Sequence, residues 1–99
     1  MELTGKQKRH LRSRGQELPA TLTVGKAGAT EAVVAQLRHL LEKRELVKVR
    51  LPAMPPEGRQ ALAEQLARAA GAACAGTLGR TALLHRPNPD LPPGKHVTP

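Results

Sequence analysis

Gly25 and Gly28 enclose Lys26 and Ala27 in a short run that follows a β-branched stretch and precedes a helical one. Glycines let the chain turn tightly and leave no side chain to hold a phosphate off the backbone, and the N–H groups opening the next helix point to the same place. Lys26 adds a mobile cation. The chemistry of such a loop is capture of a sugar-phosphate backbone. Two glycines at this spacing also make an ordinary strand-to-helix turn, but the flanking strand, helix and charge favour the phosphate reading. Gly76-Thr77-Leu78-Gly79 repeats the spacing, yet Thr77 and Leu78 fall inside a strand pattern and read as structural. Arg80 stands at the tip of a hairpin, where packing does not account for a cation, and is a candidate nucleic-acid contact.

The second candidate surface lies near the start of the chain. Lys6, Lys8, Arg9, Arg12 and Arg14 crowd one helical segment whose apolar stripe is only Leu3, Leu11 and Leu18. Lys8 and Arg12 are i,i+4, and Lys6, Arg9 and Arg12 follow at i+3 steps, so they repel one another by a few tenths of ~1 kcal/mol per pair. A helix that tolerates this points to a phosphate surface; a solvated polar face is the alternative.

Catalysis has little to build on. His10, His39, His85 and His96 are scattered, without Cys or carboxylate partners at metal-ligand spacing. Ser13 is the only serine and lies in the basic helix rather than in a nucleophile elbow. Glu42 and Glu45 end a helix in Glu-Lys-Arg-Glu and read as solvated rather than as an acid–base pair. Neither a Walker A nor a dinucleotide fingerprint is present. The expectation is no enzyme, no cofactor and no metal.

Composition agrees on the partner. Sixteen Lys and Arg against eight acids give a formal charge of +8 in 99 residues, and the sequence pI is near 10.9. Such a surface attracts polyanions, nucleic acid first and an acidic membrane second. Phe, Tyr and Trp are absent altogether. RNA modules that stack bases on sheet aromatics are therefore excluded, leaving backbone amides, Lys and Arg. No stretch approaches the ~18 apolar residues of a membrane span. The expected location is the cytoplasm. Cys74 is the only cysteine and reads as a small buried hydrophobe rather than a reactive thiol.

The elements that must position these residues follow from periodicity and punctuation. Thr4 and Gln7 have capping-box spacing for a helix from Gly5 to about Leu18, weakened by Gly15 and ended by Pro19. Thr21 to Val24 alternates as a strand. Thr30 caps a helix carrying Val33, Val34, Leu37, Leu40 and Leu41 on one face. Leu46 to Leu51 alternates again, with Lys48 and Arg50 opposite Val47, Val49 and Leu51. Glu57 to Ala70 is helical and stops at Gly71. Ala72–Leu78 and Thr81–Arg86 form a hairpin about Gly79-Arg80. The fold class is α/β, in the order α-β-α-β-α-β-β. Strands separated by helices should pair in parallel, and the last pair antiparallel, in one mixed four-stranded sheet packed with helices. Residues 1–87 make the domain, and the Pro-rich segment 88–99 is expected to be a flexible tail.

Five segments in register, Leu3-Thr4-Gly5-Lys6-Gln7-Lys8-Arg9, Val24-Gly25-Lys26-Ala27-Gly28, Glu45-Leu46-Val47-Lys48-Val49, Gly79-Arg80-Thr81 and Leu83-Leu84-His85-Arg86-Pro87, resemble the bacterial YhbY family, the stand-alone form of the CRM RNA-binding domain. The resemblance spans roughly residues 2–87. It implies a fold similar to the C-terminal domain of translation initiation factor three. It also implies association with precursors of the large ribosomal subunit; relatives in plant organelles act in intron splicing. The family's GXXG loop corresponds to Gly25, Lys26, Ala27 and Gly28, and its basic first-helix surface to Lys6, Lys8, Arg9 and Arg12. The chain departs at Ala27, where the family often has Asn, and at His85, where it usually has Tyr. The expectation is thus a binder of ribosomal RNA, with ribosomal proteins as possible neighbours, no membrane partner, and a monomeric free state. A DNA-binding nucleoid-type protein and a ribosome-bound protein-interaction module remain the alternatives.

Overall fold

A computed structural model describes residues 2–99 and contains α1 (Gly5–Gly15), β1 (Ala20–Thr23), α2 (Glu31–Lys43), β2 (Leu46–Arg50), α3 (Pro56–Ala70), β3 (Ala73–Leu78) and β4 (Thr81–His85). The element order is the expected one. Two of the helices begin at side-chain caps. Thr4 Oγ1 accepts from the Gln7 N–H at 3.1 Å while Gln7 Oε1 accepts from the Thr4 N–H at 2.8 Å, a complete capping box. Thr30 Oγ1 accepts from the Val33 N–H at 3.2 Å. α3 opens on Pro55-Pro56 instead, and it ends at Gly71, whose φ of +70° is the left-handed conformation that a glycine adopts without strain.

The strands lie in the order β1-β2-β4-β3. β1 and β2 are parallel, as strands joined by a helix should be. β2 and β3 do not pair, however. The turn at Gly79-Arg80 folds β4 back between them, antiparallel to both. Helices α2 and α3 cover one face, where Leu37, Leu41 and Leu66 meet Val47, Val49 and Leu84. α1 covers part of the other, setting Leu3 and Leu11 on Leu46, Ala75 and Leu83. Leu11 is fully buried, which stabilises the docking of α1 by roughly 1.5–3 kcal/mol.

α1 is shorter than its pattern suggested. It stops at Gly15, and the Leu18 N–H bonds back to the Gly15 carbonyl at 3.1 Å, closing the chain toward Pro19. Gly15 is a close approach rather than merely a weak point: a Cβ there would overlap the Leu83 side chain. Cys74 is half-buried against the α2–α3 core, and burial pushes its thiol up from its ordinary value.

Two further expectations need correction. Glu45 is not solvated; it is 5% exposed. Its carboxylate accepts from the Asn88 and Val97 N–H groups, each at 2.6 Å, and lies 3.0 Å from His96 Nδ1. Nor does the segment from residue 88 run free: these bonds seat it on the domain, and Val97 packs against the α1 side of the sheet. The Val97 carbonyl also accepts from His85 Nε2 at 2.9 Å, which leaves the buried His85 Nδ1 without a partner among the described residues. The carboxylate and its donors are separated by 43 to 52 positions in the chain, so no local pattern announces them.

Candidate nucleic-acid interface

The loop after β1 is a closed turn. The Gly28 N–H donates to the Gly25 carbonyl at 3.0 Å, and the Thr30 N–H then donates to the Gly28 carbonyl at 2.9 Å. Gly28 has φ +73°, a conformation that side chains strain to adopt, and it lies beside Leu62 of α3. Lys26 and Ala27 form the exposed tip, and nothing lies within 4 Å of where a Cβ on Gly25 would be. Backbone and cation are therefore both accessible there, directly before the amino end of α2. Thr30 caps the Val33 N–H, and Glu31 occupies the first helical turn.

This loop shares one rim of the sheet with the hairpin tip. The Val24 N–H donates to the Arg50 carbonyl at 2.8 Å, and the Leu51 N–H donates to the Arg80 carbonyl at 2.6 Å. The chain leaving β1, the end of β2 and the 79–80 turn are thus tied side by side. Arg80 is exposed on that turn, as expected, and Arg50 is exposed beside it.

The cations of α1 are distributed differently. Lys6 and Arg9 are exposed. Lys8 is half-buried over a concavity that it shares with Ala73 and Cys74 at the start of β3 and with Glu64 and Arg68 of α3. That is the end of β3 remote from the hairpin. Arg12 leans the other way, and its Nη1 donates to the Ala75 carbonyl at 2.9 Å, pinning the helix to β3. Arg12 also borders a groove with Lys48, Gly76 and Thr81. The structure therefore joins Arg80 to the 25–28 loop, and leaves Lys6, Lys8 and Arg9 as a separate patch across the α1-bearing face.

Among the described residues the ion pair within 4.0 Å is His96–Glu45, and none of the sixteen Lys and Arg side chains is in one. The positive charge is therefore not spent on internal pairing. Among the described residues no group of three or more His, Cys, Asp or Glu could hold a metal, and no helix is long and apolar enough to cross a membrane. Arg50 was not singled out in the sequence. The alternation of Leu46–Leu51 puts Lys48 and Arg50 on one face, but only the packing of α1 shows that this part of the face stays open.

Residues 3–86 match the CRS1/YhbY (CRM) domain family. A protein of Pseudomonas aeruginosa named a probable RNA-binding protein is 35% identical over 98 residues, covering 99% of this chain and 92% of that protein. A Bacillus subtilis protein, also named a probable RNA-binding protein, is 37% identical over 84 residues, covering 85% of this chain and 88% of its own length. Among solved structures, that of a Staphylococcus aureus protein described as a candidate for RNA binding superposes with a TM-score of 0.81 at 33% identity, over 89% of this chain and 92% of that one.

Proposed function

The chain belongs to the CRS1/YhbY (CRM) domain family, a family of RNA-binding, non-enzymatic domains, and from that membership we propose that it binds ribosomal RNA in precursors of the large ribosomal subunit as an assembly factor. The observation that carries the reading is the free positive surface: a surplus of eight cations with no Lys or Arg in an ion pair among the described residues. Exposed Lys and Arg in this state attract a phosphate backbone and release its counterions on binding.

In this reading Gly25, Lys26, Ala27 and Gly28 grip a backbone segment through main-chain N–H groups and the Lys26 ammonium. Arg80 takes a neighbouring phosphate on the same rim, while Lys6, Lys8, Arg9 and Arg12 meet a second segment. Phosphate contacts give affinity and orientation with little sequence readout. Specificity then comes from RNA shape, or from ribosomal proteins beside it. The protein works as a cytoplasmic monomer when free; residues 1–87 are the binding domain, and 88–99 are an appendage to it.

Sedimentation of cell extracts with ultraviolet cross-linking tests this. The expected result is that the protein travels with large-subunit precursors and cross-links to their rRNA. Cross-links to ribosomal proteins alone, or absence from the precursors, would remove the assembly role.

A further inference from the structure

The sheet face that bears α1 is only partly covered, and the register shows what remains open. Thr23 pairs with Arg50, Arg50 with Thr81, and Thr81 with Leu78. These four residues form one row across all four strands, on the rim that carries the 25–28 loop and the hairpin. Thr23, Arg50 and Leu78 are exposed and Thr81 is half-buried. Leu78 is 66% exposed, the one large hydrophobic residue among the described residues that the fold leaves out in water. One row further in, Lys48 pairs with Leu83 and lines the groove whose other bank is Arg12. Lys48 and Arg50, two apart on one strand, project from the same face. No acidic residue lines this groove, and neither cation is in an ion pair.

A solvated strand face is ordinarily steadied by cross-strand pairs of opposite charge. Here like charges are gathered beside hydroxyls and one apolar side chain. The Thr81 hydroxyl donates to the Leu78 carbonyl at 2.8 Å, which leaves its oxygen able to accept. We propose that this row is a further RNA-contact surface, a floor along which a single-stranded RNA segment crosses from the 25–28 loop toward Arg12 of α1. Lys48 and Arg50 bind its phosphates, and the Thr23 and Thr81 hydroxyls meet ribose 2′-hydroxyls. Leu78 lies against a base or sugar face, in the role that sheet aromatics fill in other RNA-binding modules. The row spans three inter-strand spacings, roughly 14 Å. It runs from the strand that leads into the 25–28 loop to the hairpin end of β3, where it meets the groove that Arg12 borders. This inference rests on the RNA-binding reading above.

The test begins with the wild-type protein, isotope-labelled and titrated with a short single-stranded RNA followed by NMR. Amides of Thr23, Lys48, Arg50, Leu78 and Thr81 should shift together with those of residues 25–28. The pair Lys48→Met, Arg50→Gln keeps the aliphatic stems and removes two charges, and its spectrum shows whether the fold is kept. Affinity should fall about ten-fold, and the slope of log K against log salt should flatten by about 1.4. The pair Lys43→Met, Arg44→Gln removes the same charge at the end of α2 and should weaken binding far less. Equal losses in the two pairs, or shifts confined to residues 25–28, would overturn the floor while leaving RNA binding intact. Failure of the wild type to bind any RNA would overturn the family-based reading, and this inference with it.

Discussion

Glu45 accepts from two N–H groups and faces the His96 ring. Burial alone would raise its carboxyl, but the hydrogen bonds from Asn88, His96 and Val97, together with the charge on His96, hold it at about 2. His96 moves the other way, raised chiefly by its hydrogen bond to Glu45. The signs are opposite, and so are the pH windows. The Glu45 contribution is complete above the ordinary carboxyl value of about 4 and is lost as pH falls toward about 2. That of His96 is complete below the ordinary value of about 6.5 and is lost as pH rises through its raised folded value. Denaturation midpoints should therefore be highest between these limits and fall on both sides. Glu45→Gln should lower stability by about 2 kcal/mol, because it leaves a buried N–H donor facing an amide NH2, and should flatten the acid limb, because the titrating carboxyl is gone. Urea titrations of both proteins at several pH values read this directly. Gly15→Ala belongs to the same scale: the added methyl meets Leu83, and a loss of about 1–3 kcal/mol is expected from thermal unfolding.

The helices differ in how they are held, and so in how visible they were in the sequence. α2 was legible because Val34, Leu37 and Leu41 recur on one face, and all three are buried. α1 was legible at its start, where Thr4 and Gln7 form their box. Thr4→Ala should cost about 1 kcal/mol, seen as a lower urea midpoint with an unchanged slope. The end of α1 was not legible, because Gly15 answers to Leu83, a residue 68 positions away that reaches it only through the sheet. The strand order was hidden for the same kind of reason. Alternation marks β2 as a strand and the Gly79-Arg80 turn marks β3 and β4 as a hairpin, but nothing local says that β4 enters between β2 and β3. The seating of residues 88–97 rests on Glu45 and on Val97, whose surroundings read as an exposed helix end and a Pro-rich tail. Of the candidate contact residues, the 25–28 loop and Arg80 were named from turn chemistry, which is local. Arg50 could be placed beside them only once Leu51 and Arg80 were seen to share a backbone bond.

At the scale of the whole molecule, a small basic domain presents cations on a shared rim and on a partly covered sheet face, with no acid among the described residues paired to any Lys or Arg. Association should therefore be strongly salt-dependent, and it should depend on where the charge sits rather than only on how much there is. The most direct test is competition between transcribed large-subunit rRNA and duplex DNA over a salt series, for the wild type and for the folded double variant Lys26→Asp, Ala27→Asp. With about five phosphates neutralised, log K for rRNA should fall against log salt with a slope of roughly −3 to −5. The rRNA should outcompete the DNA at every salt concentration, and the variant should lose most of its affinity. Equal affinity for duplex DNA, or a variant that binds like the wild type, would contradict the account: the charge would then be generic, and the 25–28 loop would not be the grip.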